Sequence, residues 1–234
     1  MTTAAPTAVP RTLTLKQALA EVVEVGGRVV VDVGCGDGAL VRHLAGLGAT
    51  VTGIEISDGQ LARARAAEPV DGAGYAVGSG EALPMADGST DVVVYSNSFH
   101  HLPLAVMAPS LAEAARVLKP GGRLVVVEPV ADGAYFAVTR RLDDETVVRA
   151  AAHDTLRRPP PELEPVDETV YHTVMRYRDA DHLLTHMVAV DPDRRARLPA
   201  VEAEMRDGFA AAARWTDGMA EFDQPMRRMV FVRR

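Results

Sequence analysis

The sequence predicts an α/β fold with a doubly wound, mostly parallel sheet of seven strands. Continuous apolar runs rich in β-branched residues at 28–33, 91–95 and 123–128 are typical of strands buried on both faces of a parallel sheet. Segments with helical periodicity lie between such runs, and glycine or proline separates many of them. This alternation favours βαβ units with right-handed crossovers.

The first 130 residues predict four helices and five strands in alternation. Thr14 is a candidate N-cap for the first helix, because an apolar stripe at helical spacing begins directly after it. Gly26-Gly27 ends that helix, and Pro120-Gly121-Gly122 ends the fourth. The predicted helices are 14–23, 39–45, 58–67 and 109–118, and the predicted strands are 28–33, 50–55, 74–78, 91–95 and 123–128.

The pattern is looser after Glu128. Consecutive prolines at 159–161 suit neither a helix nor a central strand, so they predict an extended linker. The remaining predicted elements are helices at 132–158, 180–190 and 193–214 and strands at 170–177 and 224–232. Together these predict a single domain made of a flexible tail (1–12), a cofactor-binding core (13–128), a substrate-side insertion over the strand ends (129–168) and C-terminal strands and helices (169–234).

Composition excludes several classes of function. A net charge of −7 argues against non-specific binding to nucleic acid or anionic lipid. The single cysteine, Cys35, excludes a disulfide framework and a cysteine-rich zinc site, and no metal site is predicted. Neither a signal peptide nor an apolar run of membrane-spanning length is evident, which predicts a cytoplasmic protein. A monomer or a homodimer is expected.

A glycine-rich turn, Val33–Gly38, joins the predicted strand 28–33 to the helix that follows. Glycine at positions 34, 36 and 38 allows the backbone and the helix N-terminus to approach a ligand closely. The same turn satisfies the looser dinucleotide fingerprint G-x-G-x-x-G/A, since Ala39 occupies its last position. The turn alone therefore leaves the nucleoside cofactor open, and a tight turn without a ligand is also compatible with it.

Glu55 ends the second predicted strand, at the spacing expected for an acid that binds a ribose. A carboxylate there can accept hydrogen bonds from both ribose hydroxyls. The alternative is a solvated acid at a strand end, and its register relative to the glycine turn favours the ribose role.

Three segments then resemble class I S-adenosylmethionine-dependent methyltransferases. VVVDVGCGDGALVRHLA (29–45) resembles motif I of that family, GSGEALPMADGSTD (78–91) its third-strand loop, and VLKPGGRLVVVE (117–128) the entry to its fifth strand. The resemblance is strongest to the small-molecule ("type 11") group that includes quinone-biosynthesis enzymes. It implies a Rossmann-like methyltransferase fold whose last strand is antiparallel, with S-adenosylmethionine as cofactor and S-adenosylhomocysteine as product.

The resemblance also implies a cofactor site. Asp32 would lie near the methionine amino group, Gly34, Cys35 and Gly36 would face the methionine and ribose, and Glu55 would hold the ribose hydroxyls. The residues implied around the adenine are Ile56, Gly80, Glu81 and Ala82, with Asn97 at the mouth of the fourth strand. One departure concerns an aspartate that close relatives often carry two positions before Glu81, where this chain has Ser79. Ser79, Glu81 or the backbone alone would then read the adenine amine.

The segment Tyr95–Leu102 after the fourth strand lies where acceptors of this family meet the methyl donor. It lacks the Asn/Asp-Pro-Pro-Tyr/Phe pattern of many enzymes that methylate nucleobase or glutamine nitrogens, so a small-molecule substrate is predicted and nucleic acid is not. His100 or His101 is a candidate general base, with His100 favoured as nearer the strand end. The alternative is a histidine that packs at a helix start beneath the cofactor.

Two rival functions stay open at this point. A nicotinamide-dependent oxidoreductase shares the glycine turn, but its short-chain class needs Tyr-x-x-x-Lys, and the two lysines here, Lys16 and Lys119, do not complete that motif. A non-catalytic protein that binds S-adenosylmethionine would keep the same pocket. Neither the methyl acceptor nor the acceptor atom follows from the residues.

Overall fold

The computed structural model describes residues 11–234, which divide into two compact units. The larger unit contains Ala18–Ala131, Glu145–Thr169 and Arg227–Arg234, and the smaller unit contains the rest. These boundaries differ from the predicted segments, since the predicted insertion 129–168 contributes to both units. The predicted tail lies mostly outside the described residues, although Thr12 forms a parallel β-bridge with His172 in the smaller unit.

The predicted α/β class with a doubly wound, mostly parallel sheet is confirmed. The strands of the described chain are β1 (Val29–Val33), β2 (Thr50–Glu55), β3 (Ala73–Val77), β4 (Thr90–Ser96), β5 (Leu118–Pro129), β6 (Leu163–Tyr177), β7 (Arg214–Thr216) and β8 (Met219–Arg233). Their order is β3-β2-β1-β4-β5-β8-β6, with β7 paired to β8. Strand β1 pairs in parallel with both β2 and β4, so the strand order reverses there, at the point where such sheets bind ligands.

The eighth strand, β7, is the one that the sequence pattern missed. It forms an antiparallel hairpin with β8 through Asp217 and Gly218, whose φ angles are 51° and 74°. Asp-Gly is a strong signal for a two-residue hairpin turn with both residues at positive φ, so the sequence did contain the indication.

The helices fall close to their predicted places. They are α1 (Leu15–Ala20), α2 (Ala39–Gly46), α3 (Asp58–Ala66), α4 (Leu104–Val117), α5 (Gly133–Thr139), α6 (Thr146–Leu156), α7 (Ala180–Val190) and α8 (Arg194–Ala212), with a 3₁₀ turn at Phe99–His101. Thr14 caps α1 as predicted, since its Oγ1 accepts a hydrogen bond from the Gln17 amide at 3.2 Å, and the Gln17 side chain accepts one from the Thr14 amide at 2.9 Å.

Several predicted boundaries were wrong, among them the starts of β6 and β8, which lie at Leu163 and Met219 and not at residues 170 and 224. Helix α4 begins at Leu104, so Pro109 lies inside it; the carbonyl that Pro109 leaves without an amide belongs to Ala105, which is exposed to water. Strand β5 begins at Leu118, and a register shift between Thr90 and Val92 of β4 absorbs the Pro-Gly-Gly segment. The predicted helix 132–158 is two helices, α5 and α6, because Leu142 turns into the core of the smaller unit.

The core of the larger unit fixes the ends of the central strands. Val31, Val93 and Leu124 belong to neighbouring strands and are at most 1% exposed, and Met107 and Leu111 of α4 are buried in the same cluster. Side chains packed this closely hold the strand ends in place, and residues that follow them are therefore well positioned. Among the helices of the described residues, none has both the length and the apolar character to cross a membrane.

Candidate active site at the β1–β4 strand ends

The glycine-rich turn joins β1 to α2 and depends on glycine for two reasons. Gly34, Gly36 and Gly38 have φ angles of 73°, 56° and 75°, a region that other residues rarely adopt. A Cβ atom on Gly34 would lie 2.5 Å from the Cβ of Ser98, and one on Gly38 would lie 2.5 Å from the ring of Tyr75. The turn is therefore packed on one side by the end of β4 and on the other by β3.

The backbone N–H groups of the turn are largely used within the protein. The Gly36 amide donates to Oε2 of Glu55 at 2.9 Å, and the Ala39 amide donates to Oδ1 of Asp37 at 3.0 Å. The Gly34 and Cys35 amides both donate to the carbonyl of Ile54, and the Gly38 amide donates to that of Cys35. Two carboxylates thus occupy places where a dinucleotide site would offer N–H groups to a pyrophosphate.

Glu55 lies across this turn at the end of β2. Its Oε1 accepts hydrogen bonds from the Ile56 and Ser57 amides, each at 2.9 Å, while its Oε2 accepts the one from Gly36. A carboxylate has about four lone-pair sites, so three are engaged. One site is left, so accepting hydrogen bonds from two ribose hydroxyls requires one of the three amides, such as that of Gly36, to release the carboxylate.

Asp32 lies one residue before the end of β1 and is only 2% exposed. Burial, with the nearby charge of Glu55 as a smaller cause, raises the pKa of Asp32 to about 7. Within the described residues no hydrogen bond compensates this carboxylate. Such an acid favours a cationic ligand, because a positive charge beside it would restore the ionised form.

Cys35 follows in the turn and is buried. Burial, and then the charges of Asp32 and Glu55, raise the pKa of the Cys35 thiol to about 12. The thiol therefore stays protonated and is not a nucleophile. Its sulfur instead packs against β2, where a Cβ atom on Gly53 would lie 2.6 Å from it.

The residues predicted around the adenine lie at the ends of β2 and β3. Ile56 is 73% exposed, which is unusual for a large aliphatic side chain. The loop after β3 is tied to β2 by the Gly78 amide, which donates to the Glu55 carbonyl at 3.3 Å. The exposed Glu81 and Ala82 lie on this loop.

Gly80 and Ser79 lie on the same loop. A Cβ atom on Gly80 would lie 2.8 Å from both Ser110 Oγ and the Tyr95 hydroxyl, so the backbone passes directly over β4. Ser79, which stands in place of the relatives' aspartate, pairs through its backbone with Ala82, whose amide donates to the Ser79 carbonyl at 3.1 Å.

The end of β4 reaches the glycine turn directly. Asn97 is exposed and has a φ of 52°, and its amide donates to the carbonyl of Val127 at 2.9 Å. The hydroxyl of Ser98 donates to the carbonyl of Val33 at 2.6 Å. The structure therefore places Asn97 and the following 3₁₀ turn beside the residues predicted to bind the cofactor.

His100, the predicted base, is 3% exposed and lies in a cluster of charged side chains. Its Nδ1 pairs with Oε2 of Glu128, and its Nε2 lies 3.8 Å from Oε2 of Glu145. Arg149 binds the same Glu145 oxygen through Nε at 3.1 Å and Nη2 at 2.6 Å. The adjacent His101 is exposed, and its ring centroid lies 4.0 Å from that of His100.

Glu128 and Glu145 are residues that the sequence pattern did not single out. Glu128 is the penultimate residue of β5 and accepts hydrogen bonds from the amides of Ser98 (3.1 Å), Phe99 (2.9 Å) and His100 (3.3 Å). Its place at the carboxyl end of a parallel strand was a signal that could have been used. Glu145 offered no comparable signal, because it lies between α5 and α6, in a region predicted to be one helix.

Comparison with known proteins agrees with this geometry. Residues 31–126 match the family model described as "Methyltransferase domain". Over most of its length the fold of the chain is similar to the solved structure of the YcgJ protein from Bacillus subtilis, with 18% identity, a TM-score of 0.64 and coverage of 94% of this chain and 97% of that one. Residues 31–126 are therefore similar to this methyltransferase domain, and the likeness to the solved structure concerns the fold.

Two curated relatives match part of the chain. The chain is 47% identical over 105 residues to the 2-methyl-6-phytyl-1,4-hydroquinone methyltransferase of Synechocystis sp., covering 44% of this chain and 32% of the relative. It is 40% identical over 99 residues to the ubiquinone biosynthesis O-methyltransferase of Thiobacillus denitrificans, covering 41% of this chain and 42% of the relative. Each match thus covers less than half of this chain and less than half of the relative.

Proposed function

We propose that this protein binds S-adenosylmethionine at the β1–β4 strand ends and transfers its methyl group to a small-molecule acceptor. The observation that carries the proposal is the buried carboxylate of Asp32, which lies at the glycine turn near the charge of Glu55. An unpaired buried carboxylate beside a second carboxylate favours a cationic cofactor and disfavours a pyrophosphate. The methyltransferase family match supports the same assignment.

The residues present fit this cofactor. Asp32 would face the methionine ammonium group, and Gly34, Cys35 and Gly36 would lie along the methionine and ribose. Glu55, once released from Gly36, would accept hydrogen bonds from the ribose hydroxyls. The exposed Ile56 would lie against one face of the adenine, with Gly80, Glu81 and Ala82 at the edge of the ring and Asn97 at the mouth of the site.

S-adenosylmethionine supplies a methyl group on a sulfonium, so that a lone pair of the acceptor bonds to the methyl carbon while the C–S bond electrons move to sulfur. The task of the protein is to hold the reacting atoms in line and to exclude water, which in favourable systems contributes on the order of 7–11 kcal/mol. An acceptor hydroxyl must also lose a proton. His100 lies on the acceptor side, after Ser98, and is the proposed residue for this step.

Calorimetric titration of the full chain with S-adenosylhomocysteine and, separately, with NADH tests the cofactor assignment. We expect saturable binding of S-adenosylhomocysteine and none of NADH. NADH binding without S-adenosylhomocysteine binding would contradict the proposal. Transfer of a radiolabelled methyl group to a small-molecule extract then tests turnover, and binding without any transfer to chemically diverse acceptors would favour a non-catalytic binding protein.

A further inference from the structure

We propose that His100, His101 and Glu145 bind a divalent transition-metal ion beside the cofactor site. The potential ligand atoms of these three side chains all lie within 4.8 Å of one another. Two imidazole nitrogens and one carboxylate oxygen form a ligand set that suits Zn²⁺, Co²⁺ or Fe²⁺. The sequence predicted no metal site, because the three residues come together only through the packing of α6 next to the 3₁₀ turn.

The orientation of His100 supports this site. Its Nδ1 pairs with Glu128, whose position is set by three backbone amides of the 3₁₀ turn. Histidines that bind metals usually donate one ring N–H to a carboxylate, which leaves the other nitrogen unprotonated and directed at the metal. At 3% exposure the ring is held in place, and its Nε2 is directed at Glu145.

The separation between Nε2 of His100 and Oε2 of Glu145 has a second implication. At 3.8 Å the two atoms are too far apart for a hydrogen bond, and both carry lone pairs when Nδ1 holds the ring proton. Ligand atoms at about 2.1 Å from a tetrahedral ion are about 3.4 Å apart, so His100 and Glu145 need to approach each other by only a few tenths of an ångström, whereas the ligand atom of His101 must move farther where it lies near the 4.8 Å limit. A cation between the two atoms would convert their repulsion into attraction.

The remaining side chains are compatible with the ion. His101 is adjacent in sequence and exposed, so its ring can reorient toward the ion. Arg149 holds the Glu145 carboxylate, which can bind a cation as well because a carboxylate oxygen has more than one lone pair. Glu128, Glu145 and Arg149 together carry a formal charge of −1, which favours a cation between them.

The place of the ion in the reaction rests on the proposed function. Three protein ligands leave coordination positions for water or for an oxygen of the acceptor, as in catalytic metal sites. The hydroxyl of Ser98, directly before the 3₁₀ turn, binds the carbonyl of Val33 in the glycine turn, so the ion would lie on the acceptor side. Coordination to the ion would lower the pKa of an acceptor hydroxyl, which would release its proton to solvent water before methyl transfer, so His100 would act as a metal ligand and would not itself accept the proton. The acceptor class is accordingly a hydroxylated molecule.

Titration of the chelator-treated, tag-free full chain with Co²⁺, followed by visible absorption, tests the site. We expect saturable d–d bands from one ion per chain, and competition by Zn²⁺. The variants His101→Ala and Glu145→Gln should each weaken Co²⁺ binding more than about 10-fold. Glu128→Gln alters the hydrogen-bonded support of His100 without removing a proposed ligand, and should weaken Co²⁺ binding by about 10–100-fold.

His153→Gln is the matched control. His153 also pairs with a glutamate, Glu168, at 3.0 Å in the same unit, but within residues 11–234 it belongs to no group of three potential metal ligands. This variant should bind Co²⁺ as the parent chain does. A spectrum unchanged by Co²⁺, or equal affinity in the parent, His101→Ala and Glu145→Gln proteins, would overturn the metal site.

Binding of S-adenosylhomocysteine is measured on the same samples so that the two proposals can fail separately. Intact binding of S-adenosylhomocysteine without Co²⁺ binding overturns the metal site alone. Binding of Co²⁺ without S-adenosylhomocysteine binding overturns the proposed cofactor instead. Thermal melting of each variant shows whether a loss of metal binding reflects a loss of folding.

Discussion

Two buried acids at the carboxyl ends of parallel strands, Asp32 on β1 and Glu128 on β5, are used in opposite ways. Glu128 accepts hydrogen bonds from three backbone amides and pairs with His100. Asp32 has no hydrogen-bond partner in the described part of the chain, and burial raises its pKa to about 7. One carboxylate stabilises the local structure, and the other costs stability whenever it is ionised.

This difference indicates what each acid is for. A satisfied carboxylate organises the turn that carries His100 and His101. An unsatisfied one is retained at a cost, and such groups concentrate where a ligand completes them. The four predictions below test this contrast, in order of decreasing expected effect.

Replacing Glu128 by alanine should destabilise the protein by about 3–5 kcal/mol, the cost of removing one partner from a buried charged network. The amides of Ser98, Phe99 and His100 would lose their acceptor. Denaturant unfolding near neutral pH measures the effect. Glu128→Gln keeps an acceptor oxygen and should lose clearly less stability than Glu128→Ala. Equal losses of stability in the two variants would show that the hydrogen bonds are unimportant.

Replacing Asp32 by asparagine should instead stabilise the ligand-free protein. Because folding raises the pKa from 3.8 to about 7, the stability lost to ionisation is absent below about pH 4, grows between about pH 4 and 7, and is complete above 7. The free energy of unfolding of Asp32→Asn should therefore exceed that of the parent by about 2–4 kcal/mol at about pH 8 and by little at about pH 4.

Unfolding of the parent and Asp32→Asn proteins at both pH values measures this gain. S-adenosylhomocysteine should stabilise the parent and have much less effect on the variant. A variant that is less stable than the parent at about pH 8 would mean that Asp32 has a stabilising partner, contrary to the contrast with Glu128.

Replacing Glu55 by alanine should weaken S-adenosylhomocysteine binding by about 1.5–3 kcal/mol, the range for hydrogen bonds to charged groups. Calorimetric titration measures the change. Glu68→Ala, at an exposed glutamate after α3, is the control and should bind normally. Unchanged affinity in folded Glu55→Ala would remove Glu55 from the site.

The smallest expected effect is the pH dependence of binding. If the ligand ammonium pairs with ionised Asp32, affinity for S-adenosylhomocysteine should rise about tenfold between about pH 6 and 8, with release of a proton. The pKa of about 7 sets this window. Titrations in buffers of different ionisation enthalpy detect the proton, and the same rise in Asp32→Asn would exclude Asp32 as its source.

Prediction from sequence succeeded where the signal was local. The β-branched run of β1 predicted a central strand, and the spacing of Glu55 predicted that its side chain lies close to the glycine turn. The 2.9 Å hydrogen bond from the Gly36 amide to Glu55 shows that the two are neighbours. Asp217-Gly218 was an equally local signal that was overlooked, and it would have added β7.

Prediction was less successful where contacts join distant residues. Glu128 and His100 are 28 positions apart, and Glu145 lies 45 positions after His100, so no periodicity relates them. The start of α4 was misplaced because proline is common at the first helical turn, whereas here packing of Met107 and Leu111 favours a longer helix.

The sequence by itself determined the fold class, the order of the central elements and the resemblance to a methyltransferase domain, because buried strands, glycine turns and strand-end acids leave patterns within short segments. Only the tertiary structure decided how the acids are used. Whether a buried carboxylate is satisfied depends on amides and side chains brought from other strands, and the free energy of its charge depends on that environment. Asp32 and Glu128 are both acids at strand ends, and only folding made Glu128 a partner of His100 and left Asp32 without a hydrogen-bond partner among the described residues.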